Sequence, residues 1–200
     1  MPTPAICLIV ASTRTRRFAD IPLTWLREEL GARSDLSLDV LDLREHPLPF
    51  FDGPVPPSRN QRAYASEAEA TVGQALDAAD GYIVLTNEYN HGYSAALKNL
   101  FDTFFIEFRH KPIGFIGYGN VGGSRAIEQL RLVAAELDMA SVRTSAHIFG
   151  HQMRRLREDP TAHAEVFAEV KPRLDATMTD LLWWANALAS ARDADATPTD

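Results

Sequence analysis

Five short apolar runs, separated by segments with helical spacing, constrain the fold of this chain more than any other feature. The first run, AICLIV at residues 5–10, is typical of a strand buried on both faces, although run length alone does not exclude a helix. Strands are predicted at residues 5–10, 36–43, 81–85, 112–118 and 140–149, and helices at residues 18–30, 61–79, 94–108 and 124–137. This alternation predicts an α/β fold, a doubly wound parallel sheet of five strands with helices on both faces.

The last part of the chain is predicted to be mostly helical, with interruptions at Pro160 and Pro172, because proline is tolerated in the first turn of a helix. Residues 191–200 are small and polar and are predicted to form a flexible tail, which leaves residues 1–190 as a single domain. A proline-rich connection at residues 44–60 is long for a compact domain, and such loops often border a site.

Composition excludes several classes of protein. With 46% hydrophobic and 24% charged residues, the 200-residue chain has an ordinary globular composition. A net charge of −7 provides no general attraction to nucleic acid or anionic lipid, and the single cysteine, Cys7, rules out an internal disulfide. No apolar run reaches the length of a membrane span, and the first residues lack the pattern of a signal peptide. We therefore expect a soluble, cytoplasmic protein with no nucleic-acid or membrane partner.

Ligands of doubly wound sheets bind outside the carboxyl ends of the strands, which directs attention to the loops after the first, third and fourth strands. The first loop, STRTRR at residues 12–17, places hydroxyl and guanidinium groups before a helix. Free N–H groups and the dipole at a helix N-terminus attract anions, and arginine pairs well with phosphate. The loop is therefore interpreted as a phosphate site, with a solvated basic turn as the alternative.

The second loop, residues 86–94, combines aromatic and polar residues that suit a flat heterocycle, although Asn90 and Gly92 are also ordinary turn formers and Ser94 an ordinary helix N-cap. The third loop, residues 117–124, contains a G-x-G-x-x-G pattern. A dinucleotide fingerprint belongs on the first strand with an acid near the end of the next one, and this pattern meets neither condition. Its glycines are interpreted as letting the backbone approach a flat ligand.

Three motifs occur in order within residues 5–147. They are Ser12-Thr13-Arg14-(x)2-Arg17, Glu88-Tyr89-Asn90-(x)6-Leu97-Lys98-Asn99-(x)2-Asp102, and Gly119-(x)2-Gly122-Gly123-(x)-Arg125-Ala126 followed by Gln129-Leu130-Arg131. Together they resemble the NADPH-dependent FMN reductase family, whose members are flavodoxin-like flavoproteins and include NAD(P)H:quinone, azo-dye and chromate reductases. The second motif is the most specific of the three.

The resemblance implies a flavodoxin-like sheet with strand order 2-1-3-4-5, bound FMN, and NADPH or NADH as hydride donor. It implies that Ser12, Arg14 and Arg17 hold the FMN phosphate. The isoalloxazine would meet Asn87, Glu88, Tyr89 and Asn90, largely through backbone groups, with Tyr118, Gly119, Asn120 and Gly122 along its other edge. Two departures from the family pattern are Ala11 in place of glycine and Asn87 in place of proline.

The function implied is ping-pong hydride transfer from NAD(P)H to the flavin N5 and on to a quinone, an azo compound or free flavin. No side chain is expected to act as a nucleophile, and His91 is interpreted as a wall of the substrate site. His147 and His151 are interpreted as bystanders, because no nearby residue completes a metal site. The alternative function is a flavodoxin-like electron carrier or redox sensor that does not turn over small acceptors.

Two apolar stripes have the spacing of helix faces. They comprise Leu97, Leu100, Phe101, Phe104, Phe105 and Phe108, and Val170, Leu174, Met178, Leu181, Leu182 and Trp184. Both are assigned mainly to the core, with part of the first stripe also suiting contact with another subunit. The family resemblance favours a homodimer or a dimer of dimers with the flavin near the interface.

Overall fold

The structure, a computed structural model, describes residues 3–196. The strands are β1 (Ala5–Val10), β2 (Ser37–Asp42), β3 (Gly81–Asn87), β4 (Pro112–Tyr118) and β5 (Ala140–Ile148). The helices are α1 (Asp20–Gly31), α2 (Glu67–Ala78), α3 (Ala95–Thr103), α4 (Ser124–Glu136), α5 (Gly150–Glu158) and α6 (His163–Ala196). Short 3₁₀ turns at Pro57–Arg59 and Pro160–Ala162 precede α2 and α6.

The strands form one parallel sheet in the order β2-β1-β3-β4-β5, which confirms the predicted flavodoxin-like topology. The chain moves outward from β1 to β2 and then crosses back to β3 on the other side of β1. This reversal of strand order lies between β1 and β3, so their carboxyl ends frame a crevice where ligands of such folds bind.

Each face of the sheet carries its own apolar core. Odd-numbered residues of β3 face α1, α5 and α6, and even-numbered ones face α2, α3 and α4. All residues of β3 and β4 are buried, because these central strands are covered on both faces. The sheet therefore holds its carboxyl edge rigidly against helices on both sides.

Several predicted boundaries are wrong. The second helix begins at Glu67 instead of residue 61, because Ser66 caps it by accepting a hydrogen bond from Glu69 N at 3.2 Å. The third helix ends at Thr103, and the chain continues to residue 108 as a turn that still buries Phe104 and Phe108.

The C-terminal part also differs from expectation. The chain is interrupted at Pro160 but not at Pro172, which lies exposed within α6. Residues 191–196 continue α6, and Arg192 donates hydrogen bonds to Asp80 at 2.8 Å and to the His110 carbonyl at 2.9 Å. The helix thus extends into the predicted tail, whose residues 197–200 lie outside the described part.

The two apolar stripes belong mainly to the core. In the first, only Phe105 is half-buried, and in the second, only Trp184 is exposed. Within residues 3–196, no helix combines the length and the apolar character needed to cross a bilayer.

Candidate functional site

The three loops singled out from the sequence meet at the carboxyl edge of the sheet. The guanidinium of Arg14 lies 5.7 Å from the centre of the Tyr89 ring, which joins the first loop to the second. The rings of Phe18 and Tyr118 lie 5.3 Å apart, which joins the start of α1 to the third loop. The residues predicted to contact a flavin therefore surround one region.

The first loop offers a set of unpaired backbone donors. Within the described chain, the N–H groups of residues 12–16 make no hydrogen bond to protein. The side chains of residues 13–16 are exposed, and Ala19, the N-cap of α1, provides no side-chain cap. Successive free N–H groups before a helix form a concave anion site, so this loop suits a phosphate.

Arg17 has a different role from the one expected. Its guanidinium donates to Ser12 O and Asp42 Oδ1 at 2.6 Å each and to Asp20 Oδ1 at 2.8 Å, and it also pairs with Asp42 Oδ2. The side chain is fully buried. Because its donors are committed to the protein, Arg17 does not offer a free guanidinium to a phosphate.

The pair of Arg17 and Asp42 instead fixes the phosphate loop to the sheet. Asp42 ends β2 directly beside Val10, the last residue of β1. Burial alone would raise the pKa of Asp42, but hydrogen bonds and charge from Arg17 hold it below the ordinary value of 3.8. The charged pair therefore anchors Ser12 from below, which makes Arg17 a positioning residue.

Three buried polar side chains form a row beneath the loops. Asn87 pairs in register with Tyr118, and extending the register of β1 with β3 places Ser12 beside Asn87. All three lie on the sheet face that α1 and α6 cover, and each is at most 5% exposed. The Ser12 Oγ, the Tyr118 hydroxyl and both polar atoms of the Asn87 amide have no hydrogen-bond partner in the described protein.

Such a row is unusual, because buried polar atoms in native proteins are almost always paired. Leaving one unpaired costs about 1–3 kcal/mol. Burial raises the pKa of Tyr118 to about 12, against an opposite effect of the nearby Ser12 hydroxyl, so the Tyr118 hydroxyl remains a neutral donor at ordinary pH. A polar ligand or water would complete the row, and a phosphorylated polyol chain such as that of FMN carries matching donors and acceptors.

The second loop closes as a tight turn. Tyr89 and Gly92 exchange backbone hydrogen bonds of 2.8 and 2.9 Å, and the two residues between them have φ angles of +50° at Asn90 and +69° at His91. Left-handed φ at two successive residues defines a type I′ turn, which strongly prefers asparagine or glycine. The histidine is therefore strained, and strain of this kind concentrates at functional sites.

Contacts from α4 hold this turn in place. Arg125 donates from Nε to Glu88 Oε1 at 2.6 Å and from its backbone N to Oε2 at 3.2 Å. Its Nη1 lies 2.8 Å from His91 Nε2, and Gln129 donates to the His91 carbonyl at 2.9 Å. The Glu88 side chain thus caps α4. The backbone groups of Glu88 remain available to a ligand.

The glycines of the third loop are explained mainly by packing within the protein. A Cβ on Gly122 would lie 2.8 Å from His147 Cβ, and one on Gly123 would lie 2.9 Å from Gly117 Cα. His147 Nδ1 also lies 2.8 Å from the Gly122 carbonyl. His147 is therefore a support for the loop and not a bystander, and the interpretation of the glycines as space for a ligand is incomplete.

Replacing Gly122 with alanine is expected to destabilise the protein by about 1–2 kcal/mol, since φ is +66° there and the new methyl meets His147. Gly31→Ala is the matched control, because nothing lies within 4 Å of its added Cβ and alanine favours the helix. Chemical denaturation should show a lower free energy of unfolding for Gly122→Ala and a higher one for Gly31→Ala. Equal changes in the two variants would contradict this role of Gly122.

Sequence reasoning missed four residues that build the site: Asp42, Arg125, Gln129 and His147. A signal existed for Asp42, because an acid at the end of the strand next to β1 lies beside the phosphate loop in this strand order. Arg125 and Gln129 stood within the quoted motif without a role. No local signal pointed to His147, since its contact with Gly122 depends on how β5 pairs with β4.

Comparison with known proteins agrees with this geometry. The profile of the NADPH-dependent FMN reductase family matches residues 4–153. The chain belongs to this family. An NAD(P)H-dependent FMN reductase of Schizosaccharomyces pombe is 34% identical over 137 residues, covering 68% of this chain and 68% of the relative. This NADPH-dependent FMN reductase family member is therefore an oxidoreductase whose cofactors are FMN and a nicotinamide dinucleotide.

Two further proteins illustrate what this chain is similar to in sequence and in fold. An FMN-dependent NADPH-azoreductase of Staphylococcus haemolyticus is 31% identical over 107 residues, covering 52% of this chain and 55% of the relative. The solved structure of an NAD(P)H:quinone oxidoreductase from Methanothermobacter marburgensis has a TM-score of 0.63 at 13% identity, over 86% of this chain and 97% of that one. At that identity the likeness shows a shared fold.

Proposed function

We propose that this reductase binds FMN at the carboxyl edge of the sheet and transfers hydride from NAD(P)H to a small acceptor in two alternating half-reactions. The observation that carries the proposal is the row of Ser12, Asn87 and Tyr118, whose buried polar atoms have no partner in the described protein. This row lies beneath the first loop, whose free N–H groups suit a phosphate, so the two features together support a phosphorylated ligand at this edge.

We assign the phosphate to the backbone N–H groups of residues 12–16, to the Ser12 hydroxyl and to Arg14. Arg14 is exposed and makes no ion pair within residues 3–196, which leaves its guanidinium free to move from Tyr89 to an anion. Arg17 keeps the Ser12 carbonyl in place and so orients the loop.

We assign the ring to the space between the turn at residues 88–91 and the loop at residues 119–122. Gly119 has a φ of +156°, which exposes backbone groups that a side chain would cover. Bound FMN supplies the hydride-transfer chemistry, and the protein binds and orients it. We expect the dinucleotide and the acceptor to use one site in turn, with His91 as a wall.

A flat aromatic acceptor suits the walls around this edge. Asn99 fixes the proline-rich segment by accepting from Phe51 N at 3.0 Å and donating to the Pro49 carbonyl at 2.7 Å. The same segment leaves Phe50 81% exposed and Phe51 40% exposed. Quinones, azo compounds and free flavin are planar, and a relative named as an azoreductase supports this substrate class, as does a protein of the same fold named as a quinone oxidoreductase.

We also propose that the chain acts as a single FMN-binding domain, which includes all of α6 rather than ending at residue 190, in a cytoplasmic homodimer or dimer of dimers. The exposed aromatic residues of the proline-rich segment would then be covered by the second copy, since contiguous apolar surface of this kind marks interfaces. Sedimentation analysis of the purified protein tests the oligomeric state directly.

Tyr118→Phe is expected to stabilise the FMN-free protein by about 1 kcal/mol, because it removes a buried hydroxyl without a partner. The same change is expected to reduce the rise in Tm that saturating FMN produces, since one ligand contact is lost. Tyr82→Phe is the control. Its hydroxyl donates to the carbonyls of Leu76 and Glu107 at 2.8 and 2.7 Å, so its loss should lower stability. If FMN stabilises Tyr118→Phe as much as wild type, the row does not contact the cofactor.

Steady-state kinetics tests the order of the half-reactions. Initial rates measured over a matrix of NADPH and menadione concentrations should give parallel double-reciprocal lines, which indicate alternating use of one site. Intersecting lines would contradict ping-pong kinetics. Flavin reduction by NADPH without any turnover of quinone, azo dye or flavin would favour the electron carrier.

A further inference from the structure

Two arginines on α5, Arg154 and Arg157, line one cavity together, and neither has an acidic partner within residues 3–196. Arg154 and Arg157 form no ion pair with any residue in the described chain, whereas Arg155 between them pairs with Glu165 and Glu169. Residues three apart share one face of a helix, so the two unpaired guanidinium groups lie together. Other exposed arginines, such as Arg27 and Arg173, also lack an ion pair in the described chain, but Arg154 and Arg157 differ from them in sharing one cavity.

The pair lines a small cavity. Its walls are Asn120, Gly150, Met153, Arg154, Arg157 and Glu158, and its volume is about 260 Å³. Sites that enclose a whole small ligand usually have volumes of about 300–1,000 Å³. The cavity is therefore suited to one end of a ligand whose remainder lies elsewhere.

Three contacts connect this cavity to the proposed flavin edge. Gly150 N donates to the Asn120 carbonyl at 3.4 Å, so the start of α5 meets the third loop. The Arg157 guanidinium lies 5.2 Å from the centre of the Phe18 ring, and Phe18 packs on Tyr118. The cation–π contact with a buried ring fixes Arg157 before any ligand arrives. The cavity thus borders the third loop through Asn120 and lies close to residues that flank the proposed site.

The chemistry of the lining selects a phosphate monoester. Arginine pairs with phosphate through parallel N–H donors, and two guanidinium groups match the charge of a dianion. Glu158 also lines the cavity, but it makes no ion pair with either arginine in the part of the chain that the structure describes. With two guanidinium groups and one carboxylate, the lining keeps a net positive charge. The carboxylate still repels an anion, so the lining favours a dianion over a monoanion.

We propose that this cavity binds the 2′-phosphate of NADPH and makes the enzyme prefer NADPH to NADH. The 2′-phosphate is the group that distinguishes the two dinucleotides, and it is a phosphate monoester. The inference rests on the proposed function, because the nicotinamide of the same molecule must reach the flavin edge. In this assignment the adenosine end lies against α5 and the nicotinamide end beyond the third loop.

The direct test is binding of adenosine 2′,5′-bisphosphate and adenosine 5′-monophosphate to the FMN-loaded protein, measured by calorimetry. The wild-type protein should bind the bisphosphate more tightly. Arg154→Ala and Arg157→Ala should each weaken the bisphosphate about tenfold and the monophosphate less than twofold, as expected for loss of a charged hydrogen bond. Glu158→Gln should tighten the bisphosphate, since it removes a repelling charge. Arg173→Ala, an exposed arginine on α6 without an ion pair in residues 3–196, should change neither ligand.

Kinetics gives a second readout. The double variant Arg154→Ala/Arg157→Ala should raise the KM for NADPH about tenfold or more, while its KM for NADH should change less than twofold. Equal loss for both dinucleotides, or no loss for either, would overturn the proposal. Weaker binding of FMN without weaker binding of riboflavin would also overturn it, because the cavity would then hold the flavin phosphate. Failure of the proposed function is distinguishable, since it would abolish flavin reduction by NADH as well as by NADPH.

Discussion

Replacing Arg17 with leucine is expected to lower the free energy of unfolding by about 3–5 kcal/mol. The substitution leaves the Asp42 carboxylate, which is 9% exposed, without its cation and releases the Ser12 carbonyl. Since small proteins are stable by about 5–15 kcal/mol, a loss of this size brings the chain close to unfolding. Urea denaturation followed by circular dichroism measures the effect.

The double variant Arg17→Leu/Asp42→Leu is the control for buried charge. It leaves neither member of the pair alone, so it should recover a large part of the lost stability. If Arg17→Leu costs no more than the exposed Arg14→Leu, the pair is not the anchor described above.

The stability lost in Arg17→Leu should depend on pH. Because the pKa of Asp42 is depressed in the folded protein, its contribution is present above the ordinary value of 3.8 and is lost as pH falls through the folded value. The difference between wild type and Arg17→Leu should therefore narrow in acid. A difference that stays constant from neutral pH down to pH values below the ordinary aspartate pKa would contradict the assignment.

Replacing Arg14 with alanine is expected to weaken FMN binding about tenfold to a hundredfold without changing stability. The estimate follows from losing one charged hydrogen bond to the phosphate. Because the proposed contact is to the phosphate, binding of riboflavin should be unchanged. Fluorescence titration of the FMN-free protein with FMN and riboflavin measures both affinities.

Arg27→Ala is the matched control for Arg14. Arg27 is exposed on α1 and makes no ion pair with residues that the structure describes, but it is outside the phosphate loop. It should leave both flavin affinities unchanged. The phosphate assignment is wrong if Arg14→Ala binds FMN as tightly as the wild type does. It is also wrong if the affinities for FMN and for riboflavin fall by the same factor.

Much of the fold follows from the pattern of apolar runs. The predicted bounds of β1 and β4 agree with the structure because both are uninterrupted runs closed by small or polar residues. Boundaries failed where the spacing continued past the true end, as at Phe104 and Phe108, which are buried by a turn and not by a helix. The predicted interruption at Pro172 was wrong for another reason, since an exposed position within the long helix α6 tolerates this proline.

The site was predictable at the level of loops but not of side-chain roles. The first loop was identified from its composition, yet whether Arg14 or Arg17 faces a ligand depends on Asp42, which lies 25 residues away from Arg17. Sequence spacing likewise did not show that Arg155 forms ion pairs while Arg154 and Arg157 do not, because the acidic partners of Arg155 are on α6. Local patterns locate the loops, and contacts between distant segments assign the tasks within them.

The most direct test of the central claim is a visible absorption spectrum of the purified protein, recorded after addition of FMN and removal of unbound flavin, and repeated without oxygen after NADPH is added. We expect a flavin band that NADPH bleaches and that a quinone restores. A protein that retains no flavin after incubation with FMN would contradict the proposed site at the edge of the sheet.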